Sequence, residues 1–158
     1  MGARHRSARS WGRRLITVSA LATAITPWIA DWNRRHTFGP GYGPHARWHG
    51  TAEVVSATGE GLLMLWLVRG DPNDQGWRST TAAALPIIRW GAFNVVLPVP
   101  GTSPYDDPGR PVRIAGVPAA VAAQNSIAAL ALIGWCLTRY GSADRPRPRR
   151  CLQRSRPK

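Results

Sequence analysis

Apolar residues fall in four runs along the chain, over residues 15–30, 50–68, 79–97 and 115–137. Stretches rich in Gly, Pro, Asp and Arg separate them. At about 1.5 Å per residue, the second, third and fourth runs are long enough to cross a hydrocarbon core about 30 Å thick. The first is shorter, and Trp11 and Trp32 flank it. Lipid offers no water to unpaired backbone groups, so a spanning segment of this length must be a helix. The pattern therefore predicts an all-α protein, a four-helix transmembrane bundle over 15–137 with disordered basic termini at 1–14 and 138–158.

The polar positions of the second run are not scattered. At about 100° per residue, His45, Ser56, His49, Glu60 and Glu53 lie at about 0, 20, 40, 60 and 80° around the helix. Val54, Val55, Thr58, Leu62, Leu65 and Trp66 fall on the other side. Inside a membrane a stripe of histidines and carboxylates must face protein or water, so it is expected to face the bundle interior and open towards the outer leaflet. The third run carries Arg89 at the same depth as Glu60, counting from the two ends of an antiparallel pair. A lone Arg or Asp-like charge at that depth is unfavourable by about 2.5–3.5 kcal/mol on insertion scales. The expected solution is a structural Glu60–Arg89 ion pair. Asn94 lies about 140° around its helix from Arg89 and must look towards a different neighbour. Gln124 and Asn125 add polar groups to the middle of the fourth run, which also carries a row of small residues (Ala115, Ala119, Ala123, Ala128, Ala129, Ala131) suited to close helix approach.

Charge changes the picture in two ways. The net charge of +13 would ordinarily raise nucleic acid as a partner. However, five arginines lie within the first fourteen residues, and seven arginines and Lys158 within the last twenty. Those clusters read as anchors on anionic lipid, with no nucleic acid implied, and they also dilute the mean hydropathy to -0.23. With both ends inside, fifteen basic residues fall on the cytosolic side and five outside, which orients a multi-pass cell-membrane protein with both termini cytoplasmic. Seven of the eight tryptophans (Trp11, Trp28, Trp32, Trp48, Trp66, Trp77 and Trp135) sit near run ends, as an aromatic belt requires, and only Trp90 is central. A competing reading makes Arg13-Arg14 and the first run a signal peptide. Trp28-Ile29-Ala30 is a poor cleavage site, which favours an uncleaved span. The scarcity of lysine beside twenty arginines points to a GC-rich, bacterial source. Cys136 and Cys151 lie on or near the cytosolic side without any metal or redox spacing.

Candidate chemistry gathers at the outer end of the second run. Histidines at i and i+4 can share one metal ion, with Glu53 a turn deeper and His36 and Asp31 reaching in from the loop. His36, His45, His49 and Glu53 are thus a candidate set for a divalent metal. Without metal, His45, His49, Glu53 and Glu60 form a candidate acid–base set, since an imidazole and a carboxyl can pass a proton across a lipophilic substrate.

The segment Asn33-x-x-His36-x-Phe38-x-Pro40-x-Tyr42-x-Pro44-His45-Ala46-Arg47-Trp48-His49 resembles a family of small four-span membrane proteins of unknown function from bacteria and fungi. The family is similar in an Asn, His, Phe-Asn-Pro, aromatic, Pro-His-Ala-basic-aromatic-His pattern. Here Gly39 replaces the usual asparagine, and Tyr42 stands where tryptophan is commoner. The resemblance implies a four-span layout and carries no activity with it. A looser, purely architectural analogy is to the sterol-isomerase-like membrane fold, which also holds His and Glu in a small bundle. Three functions stay open: a protein that binds or converts a small lipophilic molecule, a proton, ion or solute carrier, and an accessory membrane subunit.

Overall fold

The computed structural model describes residues 2–70, 75–105 and 109–141. Four helices carry the chain: α1 (Gly2–Ala30), α2 (Pro44–Arg69), α3 (Gln75–Val96) and α4 (Ala119–Tyr140). A small antiparallel hairpin, β1 (Arg113–Ile114) and β2 (Val117–Pro118), precedes α4. The fold is all-α apart from that hairpin. Two helices, α2 and α4, are long and apolar enough to cross a membrane. Most of the basic tail lies outside the described residues, although α4 runs on as far as Tyr140.

Two boundaries depart from the sequence reading. The basic segment at 1–14 is not separate from the first apolar run, because α1 continues helical from Gly2. Its arginines have partners that hold it so. The Arg13 guanidinium donates to the Val68 carbonyl (2.7 Å), and that of Arg9 donates to the Gly141 carbonyl (2.9 Å). Both acceptors lie at helix C-termini, where carbonyls lack intrahelical donors and a cation is favoured by the helix dipole. The His5 ring stacks on Tyr140 at 4.8 Å and completes the overhang. At the other end of the bundle, α4 starts at Ala119 and not at 115. Ala115 and Gly116, with φ of 49° and 83°, form the two-residue turn of the hairpin. Both central residues of such a turn need positive φ. Ala115 is therefore no part of a helical small-residue row, and Ala123 is exposed.

Close packing comes from other small residues. A Cβ on Gly134 would meet the Gly12 carbonyl oxygen at 2.7 Å, and one on Gly12 would meet that of Gly134 at 2.5 Å. The α1 and α4 backbones thus touch. Gly61 of α2 stands in the same relation to Ala20 and Ala24 of α1. Polar bonds then stitch these seams. Ser19 donates to the Ile127 carbonyl (2.8 Å), the Trp28 indole to Thr58 (2.8 Å), the Trp90 indole to Thr23 (3.0 Å) and the Trp135 indole to Thr80 (2.9 Å).

The buried set mixes small residues (Ala20, Ala57, Ala82, Ala83 and Ala131 beside Ser19, Thr23 and Thr138) with larger ones, among them Ile16, Val54, Met64, Leu67, Trp90 and Ile127. Large aliphatic and aromatic side chains instead point outward, among them Ile29, Leu62, Trp66, Ile88, Val95 and Ile133. Around the bundle α1 packs on α2 and α4, and α3 on α4, while α2 and α3 meet more loosely. That slack leaves room for a cleft.

Candidate functional site

The cleft lies between α2 and α3. It has a volume of about 410 Å³, with Leu85, Ile88, Phe93 and Val96 supplying apolar wall and Glu53, Glu60 and Arg89 supplying charge. Arg89 is the organising group. Its Nε and Nη2 donate to the two oxygens of Glu60 at 2.6 and 3.0 Å, a bidentate pairing. Nη2 also donates to the Ser56 hydroxyl (2.9 Å), and Nη1 to Oε1 of Glu53. Ser56 in turn donates to the Glu53 carbonyl (3.0 Å).

The helix periodicity explains why one guanidinium reaches all three residues. Positions 53, 56 and 60 share a face of α2 through i+3 and i+4 spacing, which stacks their side chains in one row. The expected Glu60–Arg89 pair is therefore present, and it belongs to a larger network that also takes in Glu53 and Ser56. Side-chain exposure falls from 47% at Glu53 to 32% at Glu60 and 8% at Arg89, so the arginine is the deepest member.

The stripe does not face the bundle interior. That side of α2 carries Val54, Ala57, Gly61 and Met64, all buried, because a small-residue surface lets α1 approach closest there. Glu53, Ser56 and Glu60 face the open seam with α3 instead. Asn94 does look elsewhere: its amide donates to Oδ1 of Asn125 in α4 (2.8 Å) and accepts from the Asn125 amide in return (3.1 Å).

The histidines separate from the carboxylates. His45 and His49, both exposed at the start of α2, bring their Nε2 atoms to 3.1 Å, a hydrogen bond in which one ring carries the proton. Trp48 lies against both rings. His36 instead bonds Tyr42 through Nε2 (2.9 Å) and lies 3.7 Å from Asp31. Among the described residues no group of three or more His, Cys, Asp or Glu side chains converges as a metal shell. Of the proposed set His36, His45, His49 and Glu53, only His45 and His49 come together, since Glu53 is turned to Arg89 and His36 to the loop.

The loop between α1 and α2 accounts for several residues of the sequence motif. Oδ1 of Asn33 accepts from the backbone N–H groups of Arg35 (2.8 Å) and His36 (3.1 Å), fixing the turn after α1. Phe38 packs edge-on against Trp32, and Arg47 reaches back to the Thr37 carbonyl at 3.3 Å. Gly50 packs against Thr37, where an added Cβ would sit 3.1 Å from its hydroxyl. Asn33, His36, Phe38, Tyr42 and Arg47 thus shape a loop that seats the first turn of α2. The part of Glu53 and Ser56 in the Arg89 network was not read from the sequence, although their shared phase with Glu60 was the signal that could have revealed it.

Residues 15–147 match the model of a family of unknown function (DUF6640), which spans all four helices from Leu15 of α1 onward. No curated protein and no solved structure matches the chain.

Proposed function

The chain belongs to this family of unknown function, and we propose that it is a multi-pass membrane protein that binds a small lipophilic molecule in the cleft between α2 and α3. Four spans over residues 15–137, with both termini cytoplasmic, make up the membrane domain in this reading. Two helices of spanning length and apolarity support the location. So does the distribution of side chains. Ser, Thr, Ala and Gly take a large share of the interior while many Leu, Ile, Val and Trp side chains cover the outside, which suits a solvent as apolar as the helices themselves. In water the same surface would be a large unpartnered apolar patch. The stacking of His5 on Tyr140 keeps the first and last helix ends on one side, as an even number of crossings requires. Exposed arginines at that end, among them Arg4, Arg6 and Arg14 of α1, suit anionic lipid headgroups.

The observation that carries the binding role is the cleft itself. It is apolar over most of its wall, open at the side, and ends on a charged network that can orient a ligand by one polar group. Binding sites with this division of labour are common. His45 and His49, a turn or more above Glu53 on the same face, stand at the outer approach and are the acid–base groups nearest to it in sequence. The test is photolabelling of the full chain in phosphatidylcholine nanodiscs with an alkyl diazirine bearing a neutral hydroxyl head. Saturable labelling of peptides from α2 and α3, lost in Ala92→Trp, is the expected result. Ala92 lines the cleft and is exposed, so the larger side chain fills the space without disturbing the core. Labelling that rises linearly with probe and ignores the substitution, whatever the head group of the probe, would reject the binding role.

A further inference from the structure

Counting charge in the network exposes an imbalance. Two carboxylates, Glu53 and Glu60, face one guanidinium, that of Arg89. The donors of Arg89 are directed to Glu60, Ser56 and one oxygen of Glu53. Both oxygens of Glu60 are engaged with Arg89, but Oε2 of Glu53 has no hydrogen-bond partner among the described residues. Glu53 lines the cleft and is about half exposed, so this oxygen is the acceptor left for whatever occupies the space. No second cationic side chain lines the cleft among the described residues.

We infer that the ligand is a lipophilic cation, a primary or substituted ammonium on an apolar body. The inference rests on the cleft being a binding site at all, and it adds the class of molecule. An ammonium supplies what the network lacks: one positive charge and N–H donors for Oε2 of Glu53. It also brings the total charge of the site to zero, which a low-dielectric setting strongly favours over a residual charge. The apolar body lies along Leu85, Ile88 and Val96, and Phe93 offers a ring face to the cationic head. An anionic ligand would add a third negative charge to one guanidinium that is already engaged. A neutral ligand would leave the excess charge as it stands.

Three probes with the same alkyl diazirine tail and ammonium, hydroxyl or carboxylate heads separate the two claims. In zwitterionic nanodiscs the bilayer itself carries no net charge to sort them. The expected result is saturable labelling of α2 and α3 peptides by the ammonium probe at a concentration about tenfold below its hydroxyl twin, the scale of one charge-assisted hydrogen bond. Weaker labelling still is expected for the carboxylate. Glu53→Gln narrows the ammonium advantage to about threefold or less, while Glu53→Asp, which keeps the charge, retains most of it. A thermal melt of each variant shows that it is folded. Equal affinity for the ammonium and hydroxyl probes, or an advantage that survives Glu53→Gln, would overturn the cationic class and leave the cleft as a binding site. Failure of all three probes to label the cleft saturably would overturn the binding site itself, and the cationic class with it.

Discussion

The seam between α1 and α4 and the seam between α2 and α3 solve opposite problems. At the first, Gly12 and Gly134 bring two backbones into contact, Ser19 ties α1 to the Ile127 carbonyl, and charge enters only at the end, through Arg9. At the second, no glycine pair draws the helices together among the described residues, and a charged network spans a gap lined by Leu85 and Ile88. Close approach maximises contact and leaves no room for a ligand. Charge held across a gap preserves the room, at the expense of stability, because a desolvated ion pair contributes little net folding energy. One seam holds the bundle together and the other keeps it open.

The sharpest way to break this contrast is to enlarge a residue at the tight seam. Gly134→Leu must push α4 off α1, with its Cβ alone falling 2.8 Å from Cγ1 of Ile16 and 2.7 Å from the Gly12 carbonyl. A loss of about 3 kcal/mol or more is expected, read as a collapse of the thermal transition in detergent. At the open seam Arg89→Leu should destabilise less, by about 1–2 kcal/mol, because Glu53 and Glu60 retain partial access to solvent or headgroups. Adding Glu53→Gln and Glu60→Gln should recover most of that loss, since the repulsion it exposes is then gone. A triple variant no more stable than Arg89→Leu would mean that the network is fastened by packing and not by charge. The smallest effect separates two neighbouring glycines. Gly59 has open space around its would-be Cβ, so Gly59→Ala should stabilise by about 0.5–1 kcal/mol through helix propensity. Gly61→Ala would meet the Ala20 carbonyl oxygen at 2.6 Å and should destabilise. Melting curves of the two variants that shift in the same direction would contradict the close approach of α2 to α1.

Much of the architecture was legible because helices repeat. The runs at 50–68 and 79–97 fall within α2 and α3 to within a few residues, and the Glu60–Arg89 pair followed from equal depth in antiparallel neighbours. The 140° between Arg89 and Asn94 correctly sent them to different helices. What failed needed knowledge of a partner. A row of alanines and a single glycine look alike as small residues, and only the facing backbone distinguishes Gly134 from Ala123. The stripe on α2 was expected inside because its charges need protein around them, but a flanking arginine meets that need at an open seam equally well. Helix periodicity also placed Glu53 with His49 and with Ser56 and Glu60 alike, and nothing local to α2 chose between them. Arg9 and Arg13 read in the sequence as lipid anchors because their carbonyl partners lie 132 and 55 residues away.

Those same separations set an order of assembly. The α2–α3 network joins residues 29 to 36 apart, so it can form once Arg89 has emerged and before α4 has been made. The bond from Arg9 to Gly141 cannot close until the last helix has left the ribosome. The start of α1 is therefore fastened only after α4 is made, and a chain truncated before α4 has its cleft-forming pair but no latch.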